Sequence, residues 1–206
     1  MLMQGCTVLA WLGIVCVDVA RCSDVTFEPF EHTWVAQPEE RRQVHLKSLA
    51  VASFVGDVRM AEWWAAVLAQ GTDLQVISPA EVSSRLPPNT LTQLMQSTTA
   101  QDDIALTPQL SRDIQVDAVL FGRVVVEPPK TALWGLKKRY SQRLFLHLVS
   151  AEGTILWKSE LPFMVVKGTR EVDEEMAKRT LLTHITTHAK ELGWSELGLA
   201  VVHRES

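Results

Sequence analysis

A chain of 206 residues with 47% hydrophobic and 21% charged residues, nine prolines and ten glycines has the composition of one globular domain, not of a disordered or fibrous protein. Its formal net charge of −4 excludes a whole-body electrostatic attraction to nucleic acid, so any basic recognition surface has to be local. Cys6, Cys16 and Cys22 all precede Ser23, so the body that follows can form no disulfide, thiolate metal site or cysteine nucleophile.

The first element is the apolar run from Cys6 to Val17, interrupted by Asp18 and closed by Arg21. It is shorter than the roughly 20 apolar residues of a spanning helix and close to the apolar stretch of a secretory signal. The following "VARCSD" resembles a bacterial lipoprotein signal, which implies lipidation at Cys22. Arg21 stands where that pattern has a small residue, and no Lys or Arg precedes the apolar run. An uncleaved N-terminal anchor and a buried first strand stay open as alternatives. Residues 1–22 are thus expected to be a leader, 23–44 a tether or loosely packed lead-in, and 45–206 a single domain.

"HLKSLAVASFVGD" is bounded like a buried strand. In "VRMAEWWAAVLAQGTD" the residues Met60, Trp63, Trp64, Val67 and Leu68 recur at helical spacing, with Gly71 as the expected cap. "LQVISP" reads as a short strand, and "PAEVSSRL" as a helical turn with Pro79 at its first position. Weak helix signals follow at Leu91–Gln96 and Pro108–Asp113. "VDAVLFGRVVVEP" is a β-branched strand, and "RLFLHLVS", "AEG" and "TILWKSELPFMVV" form a hairpin. The last helix, from about Thr169 to Leu192, carries acids early and stops at Gly193. This order predicts an α/β fold, one mixed sheet packed with α-helices, with Leu49, Val51, Val119, Phe121, Leu146, Leu148 and Trp157 sharing one core.

"KSLAVASFVGD", "AEWWAAVLAQGTDLQVISPAEV", "DIQVDAVLFGRVVV" and "LFLHLVSAEGTILWKSEL" together resemble segments of bacterial envelope lipoproteins of the curli secretion lipoprotein and penicillin-binding-protein activator (LpoB) group, and the N-terminal domain of TolB. Asp117, Gly122, Gly153 and Trp157 fall at the matching places, and the resemblance covers roughly Leu46 to Leu192. It implies a sandwich like the TolB N-terminal domain and an outer-membrane lipoprotein facing the periplasm. The alternating apolar hairpins a pore would need are absent from the sequence.

No G-x-S-x-G elbow and no phosphate-cradling glycine loop occurs, so no enzymatic activity and no cofactor are expected. His184 and His188 lie four apart, a spacing able to offer two imidazoles to one metal, but no third ligand accompanies them in sequence and a solvated helix face is the expectation. Asp117 is expected to fix a helix-to-strand junction, and Trp63, Trp64 and Trp157 to lie in the core. Trp34 has no periodic neighbours and is expected to dock the lead-in on the domain or on a partner. Between Val126 and Arg143, Pro128 and Pro129 predict a projecting loop in which Lys130, Trp134, Leu136, Lys137, Lys138, Arg139 and Tyr140 combine positive charge with apolar area, a candidate partner-binding site; the alternative is that Trp134 folds back on the domain and the charges are solvated. The expected partner is an envelope protein, such as a cell-wall synthesis or secretion component, with membrane contact through the lipid anchor and no nucleic acid. The function expected is a non-catalytic lipoprotein that binds and regulates or assembles another envelope component. The alternative is a structural or accessory subunit of an envelope transport or secretion complex, including a homo-oligomeric one. A monomer in solution fits the first, a ring or large oligomer the second.

Overall fold

The computed structural model describes residues 25–37, 46–128, 138–167 and 173–197. Its seven strands are β1 (Val25–Phe27), β2 (Glu31–Val35), β3 (Ser48–Val51), β4 (Gln75–Ile77), β5 (Ala118–Val126), β6 (Lys138–Ser150) and β7 (Ile155–Lys167). Its helices are α1 (Val58–Gly71), α2 (Pro79–Arg85), α3 (Pro88–Gln96), α4 (Ala100–Ile114) and α5 (Glu174–His188), with a 3₁₀ turn at Trp194–Leu197. The strands form one mixed sheet in the order β1-β7-β6-β5-β3-β4, with β2 also paired to β7. This is the α/β architecture expected from the sequence, one sheet packed with helices. Among the described residues no helix is long and apolar enough to cross a membrane.

Local chemistry sets the helix ends. The Asp57 carboxylate accepts from the Arg59 and Met60 amides at 3.0 and 3.3 Å, satisfying donors that the first turn of α1 leaves free. At the other end Thr72, not Gly71, is the cap, and its hydroxyl donates to the Leu68 carbonyl at 2.7 Å. Ser78 caps α2 with Pro79 in the first turn, as expected. Thr99 and Asp102 cap α4 reciprocally. That helix runs on through Pro108, which removes the donor for the Ile104 carbonyl. The β6–β7 turn packs there: Gly153, at φ +87°, sits where a Cβ would lie 3.4 Å from both the Ile104 oxygen and Pro108 Cγ.

The helices divide between the two faces of the sheet and make two cores. Leu49, Val51, Leu146, Leu148 and Trp157 pack with α1, α5 and the 3₁₀ turn. Val119 and Phe121 do not join them; they lie on the opposite face with Ile77, Val82, Leu110, Ile114 and Val149, under α2 and α4. Strand parity is the reason: Val119 and Phe121 alternate with Ala118 and Leu120 of the first core, so one strand cannot send all four to one side.

Three further expectations are corrected. The lead-in is not a tether throughout, because β1 pairs with Phe163–Val165 and β2 with Trp157–Glu160, and Val25 and Ala36 are each only 1% exposed. The domain therefore begins at least 20 residues before His45 (residue 25 against 45). The loop after β5 is also shorter than expected, since β6 starts at Lys138 and pairs with β7 from Lys138↔Lys167 onward. The last helix begins at Glu174, capped by Asp173, and ends at His188, with Gly193 at φ +64° closing the turns beyond it.

Gly122 marks a close approach between elements. A Cβ there would come within 2.6 Å of the Phe54 ring, which lies across β5. Gly122→Ala is therefore expected to force Phe54 out of the first core and cost about 1 to 3 kcal/mol through overpacking. Urea denaturation checks this.

Candidate functional site

The helical cover on the second face stops part-way across the sheet. Its border is His147, whose ring stacks on Phe121 at 5.3 Å and whose Nε2 lies 3.0 Å from an Asp103 carboxylate oxygen of α4. The other Asp103 oxygen accepts from the Ser97 hydroxyl. This is a serine, an aspartate and a histidine together, but the carboxylate stands in the middle. Neither the hydroxyl nor the imidazole can activate the other, so the trio does not make a nucleophile; the Ser97 bond ties α4 to the end of α3, and His147 Nε2, though near Asp103, is not aligned for a hydrogen bond.

Beyond His147 no helix among the described residues packs on the same face. Cross-strand pairs place the residues: Val125 opposite Arg143, Arg123 opposite Phe145, Phe145 opposite Glu160, and Lys158 between His147 and Trp34. Phe145 is 41% exposed, Val125 45% and Trp34 42%. Trp34 reaches this face through a β-bulge. Glu31 and Trp34 are three residues apart, which in a regular strand would send them to opposite faces, yet they oppose Glu160 and Lys158, two apart on β7. The extra residue is accommodated with His32 in a left-handed conformation, φ +49°. Lys158 Nζ then lies 5.8 Å from the centre of the Trp34 ring, a cation–π distance.

The charges on this face are balanced locally. Arg143 bonds Glu127 through Nε at 2.8 Å and Glu31 through Nη1 at 3.2 Å, and Nη1 also bonds Glu160. Hydrogen bonds donated to Glu127 and then to Glu160 hold its guanidinium well above its ordinary pKa. Glu31, His32 and Glu160 bring potential metal-ligating atoms within 4.8 Å of one another. Arg143 already supplies a positive charge to both carboxylates, which competes with any cation there.

The remaining sequence candidates separate cleanly. Asp117 accepts at one oxygen from the Lys47 and Ser48 amides, both at 2.8 Å, and from the Ser48 hydroxyl at 3.0 Å; Ser48 Oγ accepts in turn from the Asp117 amide. It joins the starts of β3 and β5, the junction role expected of it. Trp63, Trp64 and Trp157 are core residues, as expected. His184 and His188 do not form a solvated face, because their rings stand 4.6 Å apart and His184 lies 5.9 Å from Phe27 and 5.2 Å from Phe30. Cys22, Lys130, Trp134, Leu136 and Lys137 lie outside the described residues, and of Lys138, Arg139 and Tyr140 only the backbone is described, on β6. Phe145 and Val125 escaped attention in the sequence because each belongs to a strand whose other face is core.

Compared with protein-family models and with curated proteins, the chain matches none. Among solved structures it is similar to the lipoprotein GNA1162 from Neisseria meningitidis, at 20% identity over 70% of this chain and 98% of that one, with a TM-score of 0.44. It is also similar to PelC from Paraburkholderia phytofirmans, solved as a dodecamer, at 13% identity over 79% and 95% with a TM-score of 0.41. A third is the hypothetical protein CT253 from Chlamydia trachomatis, at 11% identity over 75% and 98% with a TM-score of 0.38. Likenesses this loose do not bear on activity.

Proposed function

We propose that this protein is a non-catalytic, periplasm-facing outer-membrane lipoprotein that binds another protein of the cell envelope and regulates or assembles it. The observation that carries this is the uncovered sheet face, on which Trp34, Phe145 and Val125 stand exposed around Arg143 and its carboxylates. Aromatic and aliphatic area ringed by paired charges has the make-up of a protein-binding patch. Among the described residues of this face three cations, Arg123, Arg143 and Lys158, are matched by three carboxylates, Glu31, Glu127 and Glu160, a balance that suits a protein partner better than nucleic acid. The lipoprotein part rests on the leader that ends at Cys22 and on the sequence resemblance to envelope lipoproteins. The loop between β5 and β6, with Trp134 and Lys137, leaves the sheet at Val126 beside this face and would extend the contact.

A photo-crosslinking amino acid placed at Phe145 tests the site in cells, with Met95 as the control because it is exposed (79%) and apolar but on α3. A discrete protein adduct at Phe145 and none at Met95 is expected, carried by an acylated chain in the membrane fraction. The same adducts at both positions, or none at Phe145, would remove the sheet face as the binding site.

A further inference from the structure

We propose that His184, with His188 beside it, forms an acid-responsive latch that holds the N-terminal lead-in, Val25–Phe30, against α5 and lets it go when His184 gains a proton.

Among the described residues the backbone pairing of the lead-in is short. β1 contributes three register pairs to β7, Val25↔Val165, Thr26↔Met164 and Phe27↔Phe163, followed by one amide bond from Glu28 to the Pro162 carbonyl at 2.9 Å. Its side chains supply the rest of the grip. Phe27 and Phe30 both lie against His184, Phe30 also meets His188 at 6.4 Å, and its edge meets Trp64 of α1 at 6.5 Å. The hold is thus two aromatic rings clamped on two imidazoles, together with the Phe27–Phe163 contact at 6.0 Å and Val25 in the first core.

The imidazoles suit a neutral state. His184 is hydrogen-bonded to the Glu28 backbone, which ties the ring directly to the lead-in. Its Nε2 is buried without a hydrogen-bond partner. A neutral ring can leave that nitrogen as an unpaired acceptor, whereas a protonated ring would bury a charged donor with nothing to accept it, at far greater cost. His188 stands 4.6 Å away and is paired through Nδ1 with the Glu191 carboxylate at 2.7 Å. A cation there opposes a second one on His184. Burial, followed by the repulsion of His188, holds the His184 pKa below its ordinary value of 6.5. Since the docked form binds its proton less readily than the released form, docking is at full strength above pH 6.5 and weakens as pH falls from there toward the depressed value.

The surrounding groups leave this balance in place. From α5 the charged neighbours are Arg179 on the same groove and His188, and from the turn after it Glu191; from the lead-in there is Glu28; β1 presents Thr26 and α1 presents Trp64. A groove of about 420 Å³ already runs along this seam between Thr26 and Phe27 on one side and Met176, Thr180, Thr183 and Thr187 on the other, giving water a way in once the clamp loosens. Release would uncover Phe27, Phe30 and Val25 without disturbing the long pairings of β5, β6 and β7, which share no residue with the latch except the Phe163–Val165 edge.

Amide hydrogen exchange of the intact protein at about pH 7.5 and about pH 5.2, corrected for intrinsic rates, reads this directly. The expected result is at least a tenfold greater loss of protection at the lower pH for peptides covering Val25–Phe30 than for those covering β5 and β6. His184→Gln, which keeps a polar side chain but cannot titrate, should flatten that difference. His188→Gln, a milder change, should reduce it by removing the repulsion alone, and it serves as the deciding variant if His184→Gln does not fold. Equal loss of protection across the lead-in and the central strands, or an unchanged lead-in response in the folded variants, would overturn the latch.

Discussion

Trp157→Ala is expected to destabilise the protein by about 4 to 5 kcal/mol, a large share of the 5 to 15 kcal/mol that typically holds a domain of this size. Trp157 is 1% exposed and lies in the first core, opposite Leu148 on β6 and edge-on to Trp194 at 6.0 Å. Truncation would remove the transfer energy of the indole and leave a cavity between the sheet and the 3₁₀ turn, because neighbours as large as Trp64 and Leu181 cannot collapse far. It would also strand the Leu192 carbonyl, which accepts from Trp157 Nε1 at 3.0 Å and fixes the chain after α5. Trp157→Phe separates the two effects, keeping ring packing while losing that bond, and should cost about 1 to 3 kcal/mol. Trp34→Ala, at an exposed position, should stay within about 0.5 kcal/mol of the parent, which makes it the control. Urea denaturation of the three variants settles the order. A loss below 1 kcal/mol for Trp157→Ala would contradict its place in the core.

The same contrast between tryptophans shows what could be read from sequence. Periodicity is a property of one strand or one helix, so α1, β5 and the β6–β7 hairpin announced themselves, and Trp63, Trp64 and Trp157 were placed correctly from their neighbours alone. The assignment of Val119 and Phe121 to the core of Leu146 failed because apolarity was read without parity; both faces of β5 are covered, and a run of apolar residues hides which side each one takes. β1 and β2 went unrecognised for a different reason. Pro29 separates them, and the bulge at His32 breaks the alternation between Glu31 and Trp34 on which strand recognition depends. Pro108 likewise disguised the middle of α4. The open sheet face was beyond reach altogether, since Trp34, Val125 and Phe145 come from three strands and only pairing through β7 and β6 brings them to one side.

Asp117→Ala is expected to cost about 3 kcal/mol, the second largest single effect, although its side chain is not in either core. One carboxylate oxygen takes three hydrogen bonds, from the Lys47 amide, the Ser48 amide and the Ser48 hydroxyl. Bonds to an ionised acceptor contribute about 1.5 to 3 kcal/mol each when isolated, but here they share one atom at a partly solvated edge, so their sum is far from additive. What they secure is the register of β3 against β5, where Leu49 opposes Ala118 and Val51 opposes Leu120. Slippage there would turn both cores inside out, which is why a surface carboxylate matters so much to this sheet. Burial raises the Asp117 pKa, but the bonds from Lys47 and Ser48 outweigh it, and the folded-state value lies below the ordinary 3.8. The stabilisation is therefore complete above about pH 4 and disappears as pH falls through the depressed value. Asp117→Asn, which keeps an acceptor oxygen without the charge, should recover part of the loss at pH 7 and lose its difference from the parent in strong acid. Denaturation curves at about pH 7 and about pH 3 give both comparisons. A parent and an Asn variant that stay equally stable at pH 7 would mean that the ionised carboxylate is not what holds β3 to β5.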